Sequence, residues 1–229
     1  IAGYTRTVTR SSALLVMVLF LIIAYYLKDG IGPYILIGAG LTWWVGAAIL
    51  IIGVQRQLLE IPASRVFTTL AGLLVLLPAW LSLILLHQQG SDGRVLLIYL
   101  LMLTWIADIS AYFGGRRWGK KTLCNHISPG KTREGLYVAL IMCGLFSLVF
   151  AVLIKFQAIE IIMFVLLSAL TVLASVSGDL LESLMKRRAG LKDSGSLLPG
   201  HGGVLDRIDS ITAAGPVFVA GIYLSGWWI

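Results

Sequence analysis

Four carboxylates fall where an apolar chain should carry none. Asp108 lies in W-I-A-D-I-S-A-Y, Asp179 in S-G-D-L-L-E-S, and Asp206 with Asp209 in L-D-R-I-D. A carboxylate inside a membrane span costs roughly 2.5–3.5 kcal/mol even on the lenient insertion scale. Four of them at one depth are better explained by a shared polar cavity than by four separate helix ends. Oxygen ligands without His or Cys at metal spacing suit a hard cation such as Mg²⁺ rather than zinc. Asp206 and Asp209 stand three apart and share a helical face, and Ser183 follows Asp179 by one turn. Glu182 and Lys186, also one turn apart, read as a structural ion pair of about 0.2–0.5 kcal/mol.

Cations surround these acids in sequence. Lys186, Arg187 and Arg188 close one apolar run, Lys192 and His201 lie in the Gly-rich stretch that follows, and Arg207 sits between the last two aspartates. Upstream, Ser128-Pro129-Gly130-Lys131-Thr132 offers a turn, free backbone N–H groups, a lysine and hydroxyls, the groups that hold phosphate. It is not a Walker A loop, which needs two glycines separated by four residues before the lysine. His201 reads as a hydrogen-bonded loop residue beside the substrate rather than a general base. The chemistry implied is the handling of phosphates by a metal and by basic side chains.

Membrane helices must position these groups. A span needs about 20 apolar residues, and seven segments qualify: Ser11–Leu27, Ile31–Val54, Val66–Leu86, Val95–Phe113, Leu136–Phe156, Ile159–Leu184 and Ile208–Trp228. Pro78 is expected to kink the third, and no internal repeat is evident. Of the 18 Lys and Arg residues, only Lys28, Arg94 and Lys155 fall on one side of this arrangement. The positive-inside rule then puts the N-terminal end and the stretches 114–135 and 185–207 in the cytosol, with Trp227 and Trp228 as outer interfacial anchors. Residues 1–94 form three spans without a motif, and residues 95–229 carry the catalytic region.

Composition supports this all-α, polytopic architecture. Of 229 residues, 58% are hydrophobic and 13% charged, with mean hydropathy +0.91, where a soluble domain carries roughly 25% charged residues. The net charge of +7 therefore reports positive-inside loops and contact with anionic membrane lipid, not nucleic acid. Cys124 and Cys143 have no metal-binding spacing and are not expected to form a disulfide; Cys143 reads as packing. Ile1 in place of Met leads to the expectation that an N-terminal piece precedes this stretch, and the first apolar run does not resemble a cleaved signal.

The long pattern Ser183-x-Met185-Lys186-Arg187, Lys192-Asp193-x-Gly195, Leu198-Pro199-x-His201-Gly202-Gly203-Val204-x-Asp206-Arg207-Ile208-Asp209 resembles that of the phosphatidate cytidylyltransferases, or CDP-diacylglycerol synthases. Trp105-x-Ala107-Asp108-x-x-Ala111-Tyr112 and Ser128-Pro129-Gly130-Lys131-Thr132-x-x-Gly135 are also similar to that family. The likeness covers about residues 100–225. It implies Mg²⁺-dependent conversion of CTP and phosphatidate to CDP-diacylglycerol and diphosphate, at the cytosolic face of a bacterial inner membrane. It further implies a centre of two cations held by Asp179, Asp206 and Asp209, and a phosphate-binding or activating role for Lys131. Asp108, Ser183, Lys186, Arg187, Lys192, His201 and Arg207 are the expected substrate-binding residues, and a homodimer is implied by the resemblance alone.

The alternatives are a CTP-dependent lipid or polyprenol kinase and, from a different class, an ion-coupled transporter. The D-x-x-D-G-x-x-A-R run of CDP-alcohol phosphotransferases is absent.

Overall fold

The computed structural model describes residues 7–26, 30–60, 65–195 and 202–227. Seven helices and one small hairpin occur among them: α1 Thr7–Tyr26, α2 Gly32–Glu60, α3 Arg65–Gln88, α4 Gly90–Trp118, β1 Thr122–Cys124, β2 Ser128–Thr132, α5 Arg133–Leu153, α6 Ala158–Arg188 and α7 Leu205–Ser225. Six of the helices, α2 to α7, are long and apolar enough to cross a membrane. The expected first span corresponds to α1. The molecule is a multi-pass helical bundle with large apolar side chains facing outward, for instance Leu145, Val149, Ile162, Leu166 and Leu170.

The helices overrun the apolar segments read from sequence. α4 begins at Gly90 and runs to Trp118 rather than from Val95 to Phe113, and α6 ends at Arg188 rather than Leu184. Its 31 residues span about 46 Å at 1.5 Å per residue, against roughly 30 Å of hydrocarbon. The surplus stands in the polar zone and presents Lys186, Arg187 and Arg188. The stretch 114–135 is likewise not a loop throughout. It contains the end of α4, the hairpin and the start of α5.

α4 packs on α5, and α6 on α7, while α2 and α3 close against α6 and α7. Small residues are buried on both α6 and α7, among them Ser175 and Gly178 on one and Ser210, Ala213 and Ala214 on the other, and Gly178 lies against Ala213. Small side chains let membrane helices approach closely. The hydroxyls satisfy themselves locally: Ser168 donates to the Phe164 carbonyl (2.8 Å), Thr171 to that of Leu167 (2.8 Å) and Ser175 to that of Val172 (2.8 Å).

The far end of the bundle, away from the acidic residues, is filled by aromatic rings. Tyr99 of α4 stacks on Phe146 of α5 with ring centres 5.2 Å apart, and touches Phe150, Phe164 of α6 and Phe218 of α7. Its hydroxyl is satisfied by Ser168 Oγ at 2.7 Å. Four helices therefore meet on one buried tyrosine.

Candidate active site

The site begins at Gly178. A Cβ on this residue would drive into the backbone carbonyl oxygen of Asp209, and would come within 3.3 Å of Ala213. Only glycine lets α6 and α7 touch there, and that contact sets Asp179 alongside Asp209. Glu182 follows Asp179 by three residues and shares its face. One carboxylate oxygen from each of Asp179, Glu182 and Asp209 lies within 4.8 Å of the others. Glu182 is buried and the two aspartates are half-buried.

The hairpin delivers a cation to this cluster. β1 and β2 run antiparallel, pairing Thr122 with Thr132 and Cys124 with Ser128. Cys124 and Ile127 are buried on Leu180 and Leu184 of α6 and Ile51 of α2, so the hairpin is docked by apolar contact. Arg187 Nε donates to the Ile127 carbonyl at 3.5 Å. Burial in this seat pushes the Cys124 thiol above its ordinary pKa, with the nearby Lys131 pulling the other way. From β2, Lys131 reaches into an ion pair with Asp179.

The join between hairpin and α5 is also fixed. Thr132 caps α5 by accepting from the Gly135 N–H at 3.1 Å. Glu134 accepts from the backbone N–H groups of Lys120 (3.0 Å) and Lys121 (3.2 Å), which ties α5 back to the strand entering the hairpin. Gly135 lies against the Ala111 carbonyl of α4, where a Cβ would sit 2.6 Å from the oxygen.

Asp206 has a different surrounding from the one its spacing suggests. Its carboxylate accepts from Ser194 N (2.9 Å), Ser194 Oγ (2.8 Å) and Gly203 N (2.7 Å), and pairs with Lys186 Nζ at 2.8 Å. It therefore ties Ser194 and Gly203 to α6 and α7. Lys186 Nζ also pairs with Glu182 at 2.9 Å. The structure thus gathers Asp179 and Asp209 as expected, adds Glu182, and places Asp206 one salt bridge away. Glu182 does form the expected ion pair, but through Oε2 only. Its Oε1 is buried without a hydrogen-bond partner among the described residues.

The remaining expected residues surround this core. Ser210 joins Asp108 to the cluster, its Oγ donating to Asp108 Oδ2 at 3.4 Å and its N–H to Asp209 Oδ1 at 2.8 Å. Ser183 Oγ donates to Asp179 Oδ1 at 3.3 Å. Lys192 and Arg207 are exposed at the same end of the bundle. His201, with Leu27 and Trp228 of the expected spans, lies outside the described residues. Glu182 was the residue sequence reasoning underrated. Its i+3 relation to Asp179 carried the signal, but the more familiar i+4 lysine gave it another use.

Three carboxylates in one cradle, one of them with an orphaned buried oxygen, fit a hard divalent cation. A lone Glu182 oxygen in that position costs free energy unless a donor or cation reaches it. Lys131 and Lys186 pair with members of the cradle and can face phosphate, while Arg187 is held on the hairpin at Ile127.

Comparison with known proteins agrees with this geometry. A model of the cytidylyltransferase family matches residues 3–225. A phosphatidate cytidylyltransferase of Pseudomonas aeruginosa is 39% identical over 227 residues, covering 99% of this chain and 82% of that protein. One from Haemophilus influenzae is 41% identical over 192 residues, 77% of this chain and 64% of its own length. A third, from Rickettsia bellii, is 32% identical over 190 residues, covering 80% and 81%. The family match runs through all seven helices rather than the polar stretch alone, and the chain belongs to the cytidylyltransferase family.

Proposed function

We propose that this enzyme transfers the cytidylyl group of CTP to phosphatidate, giving CDP-diacylglycerol and diphosphate for phospholipid synthesis. The observation that carries the reading is the cradle of Asp179, Glu182 and Asp209 beside Lys131, in a chain similar over 99% of its length to a phosphatidate cytidylyltransferase. The site is read as facing the cytosol of a bacterial inner membrane, on the distribution of Lys and Arg. CTP then arrives from water and the lipid phosphate from the headgroup plane. A homodimer belongs to the proposal by family resemblance.

The nucleophile is the phosphate monoester of phosphatidate, whose oxygen attacks the α-phosphorus of CTP. The bond from that phosphorus to the bridging oxygen breaks, and diphosphate leaves. A phosphomonoester has a second pKa near 6, so at pH 7 it is largely dianionic and needs no general base. The task is to overcome anion–anion repulsion and to hold the groups in line. Asp179, Glu182 and Asp209 would hold Mg²⁺, while Asp206 ties Ser194 and Gly203 to Lys186. Bound there, a divalent ion neutralises phosphate charge and steadies the departing diphosphate. Lys131, carried on a docked hairpin, exchanges Asp179 for a phosphate oxygen. Lys186 and Arg187 screen charge at the helix end, and Lys192 and Arg207 extend the positive field toward solvent. Asp108 and Ser210 orient Asp209.

The test is product identity. Purified protein with CTP labelled at the α-phosphate, phosphatidate and Mg²⁺ should form labelled CDP-diacylglycerol and unlabelled diphosphate. Chelation with EDTA should stop the reaction and added Mg²⁺ restore it. Release of CDP with a newly phosphorylated lipid would replace this reading with that of a lipid kinase.

A further inference from the structure

Between α2, α3, α6 and α7 lies a cavity of about 450 Å³, within the size range of small-molecule sites. Its walls are mostly apolar, with Leu50, Phe67, Ala71, Val75 and Leu181 among them, and it reaches Glu182 and Asp209. The carboxylate cradle and the cavity therefore share a wall. Trp44 packs against Ala213, one turn along α7 from Asp209.

Two features distinguish this space from a packing defect. Trp43 and Trp44 both line it, and the indole Nε1 of each is buried without a hydrogen-bond partner among the described residues. Buried indole N–H groups ordinarily find an acceptor, and inside a membrane bundle bulk water does not supply one. The cavity is also kept open by Gly46 on the same helix, where a Cβ would meet nothing within 4 Å.

We infer that this chamber receives one acyl chain of the lipid substrate, and that Trp43 and Trp44 donate their indole N–H groups to an ester carbonyl at the head of that chain. The inference rests on the reading of the protein as a phosphatidate cytidylyltransferase. A diacylglycerol phosphate presents an anionic phosphate, then ester carbonyls a few bonds away that accept but cannot donate, then hydrocarbon. The protein offers the complement of each: the cradle with its cations, two unpaired donors, and an apolar wall. A cytosine base suits the chamber poorly, because its ring polar groups would face Leu, Val, Ala and Phe side chains. Trp43 and Trp44 become specificity-determining residues that separate ester-linked from ether-linked lipid.

The experiment compares initial rates on diacyl phosphatidate and on its dialkyl ether analogue of equal chain length. The native chain should prefer the ester by about fivefold in kcat/KM, as a neutral hydrogen bond supplies. Trp43→Phe and Trp44→Phe keep a ring and remove the donor, and should bring the ester-to-ether ratio toward one. Gly46→Leu should shift the preferred acyl length downward. An ester-to-ether ratio that stays at its native value in both Phe variants overturns the inference. Photolabelling of the native protein by phosphatidate with a diazirine near the ester decides the matter without variants. Label on α2 and α3 at the chamber is expected, and label confined to the outer surface overturns it. Labelling needs no turnover. A labelled chamber in a protein that forms no CDP-lipid would remove the catalytic reading and keep the chamber, while an unlabelled chamber in an active protein removes the chamber alone.

Discussion

Gly135→Ala tests how finely the hairpin must be placed. The added Cβ would lie 2.6 Å from the Ala111 carbonyl oxygen and 3.1 Å from Thr132 Oγ1, whereas ordinary contact begins at 3.4 Å. Closing the gap between 2.6 and 3.4 Å moves the start of α5 away from α4 by about 0.8 Å. The Thr132 cap and β2 are joined to that helix start, so Lys131 moves with it relative to Asp179. A misplacement of about 1 Å costs roughly 100-fold in rate, and we expect kcat/KM to fall about 30- to 100-fold, or roughly 2–2.7 kcal/mol of transition-state stabilisation. Overpacking should also cost about 1–3 kcal/mol of stability. Gly144→Ala, on the same helix, is the control, because its Cβ meets nothing within 4 Å. The assay is initial-rate formation of CDP-diacylglycerol in detergent micelles, with thermal melting of each variant. If Gly135→Ala matches Gly144→Ala in both rate and melting, the placement argument is wrong.

Asp179→Asn, Glu182→Gln and Asp209→Asn should each lower turnover at least about 100-fold while the protein still melts cooperatively, with the residual activity needing more Mg²⁺; native activity in any one removes that residue from the cradle. Asp206→Asn should lose activity together with faster protease cutting between Gly195 and Gly202, because the neutral amide keeps one acceptor oxygen where Ser194, Gly203 and Lys186 share two charged ones. Loss of activity with unchanged cutting would assign Asp206 to the cation instead. Cys124 should react slowly with maleimide near neutral pH and faster as pH rises, since burial raises its pKa and withholds the thiolate. Rapid labelling at pH 7 in the folded protein would mean that the hairpin does not stay docked on α6.

Hydropathy carried most of the fold, and the end that it misjudged is the functional one. Apolar runs report depth in hydrocarbon, while a helix continues for as long as its backbone bonds are made. Lys186, Arg187 and Arg188 lie past the apolar run but still within the last turn of α6, just as Arg116 and Arg117 do in α4. The hairpin was hidden for another reason. Strands of three and five residues show no alternation to read, and what fixes them is the distant seat for Cys124 and Ile127 on α6. Of the acids, Asp179 and Asp209 were legible because each is misplaced in an apolar context. Separating Glu182 from Asp206 required the loop geometry, since both lie near Lys186 and both pair with it. The chamber was the least legible part, because Trp43 and Trp44 on α2 look like ordinary membrane tryptophans until their neighbours are known.

The aromatic knot around Tyr99 has a mechanical consequence. Rings from four helices interlock at one end of the bundle, whereas the other end is joined through glycine, serine and ion pairs. A bundle clamped in this way behaves like a split cane held at its base. Strain is met by splaying the helix tips, not by sliding one helix along another. The clamp holds α4, α5, α6 and α7 in register, and α2 and α3 contribute no ring to Tyr99. The register that sets Asp179 beside Asp209 is thus held from the end of the bundle opposite the carboxylates.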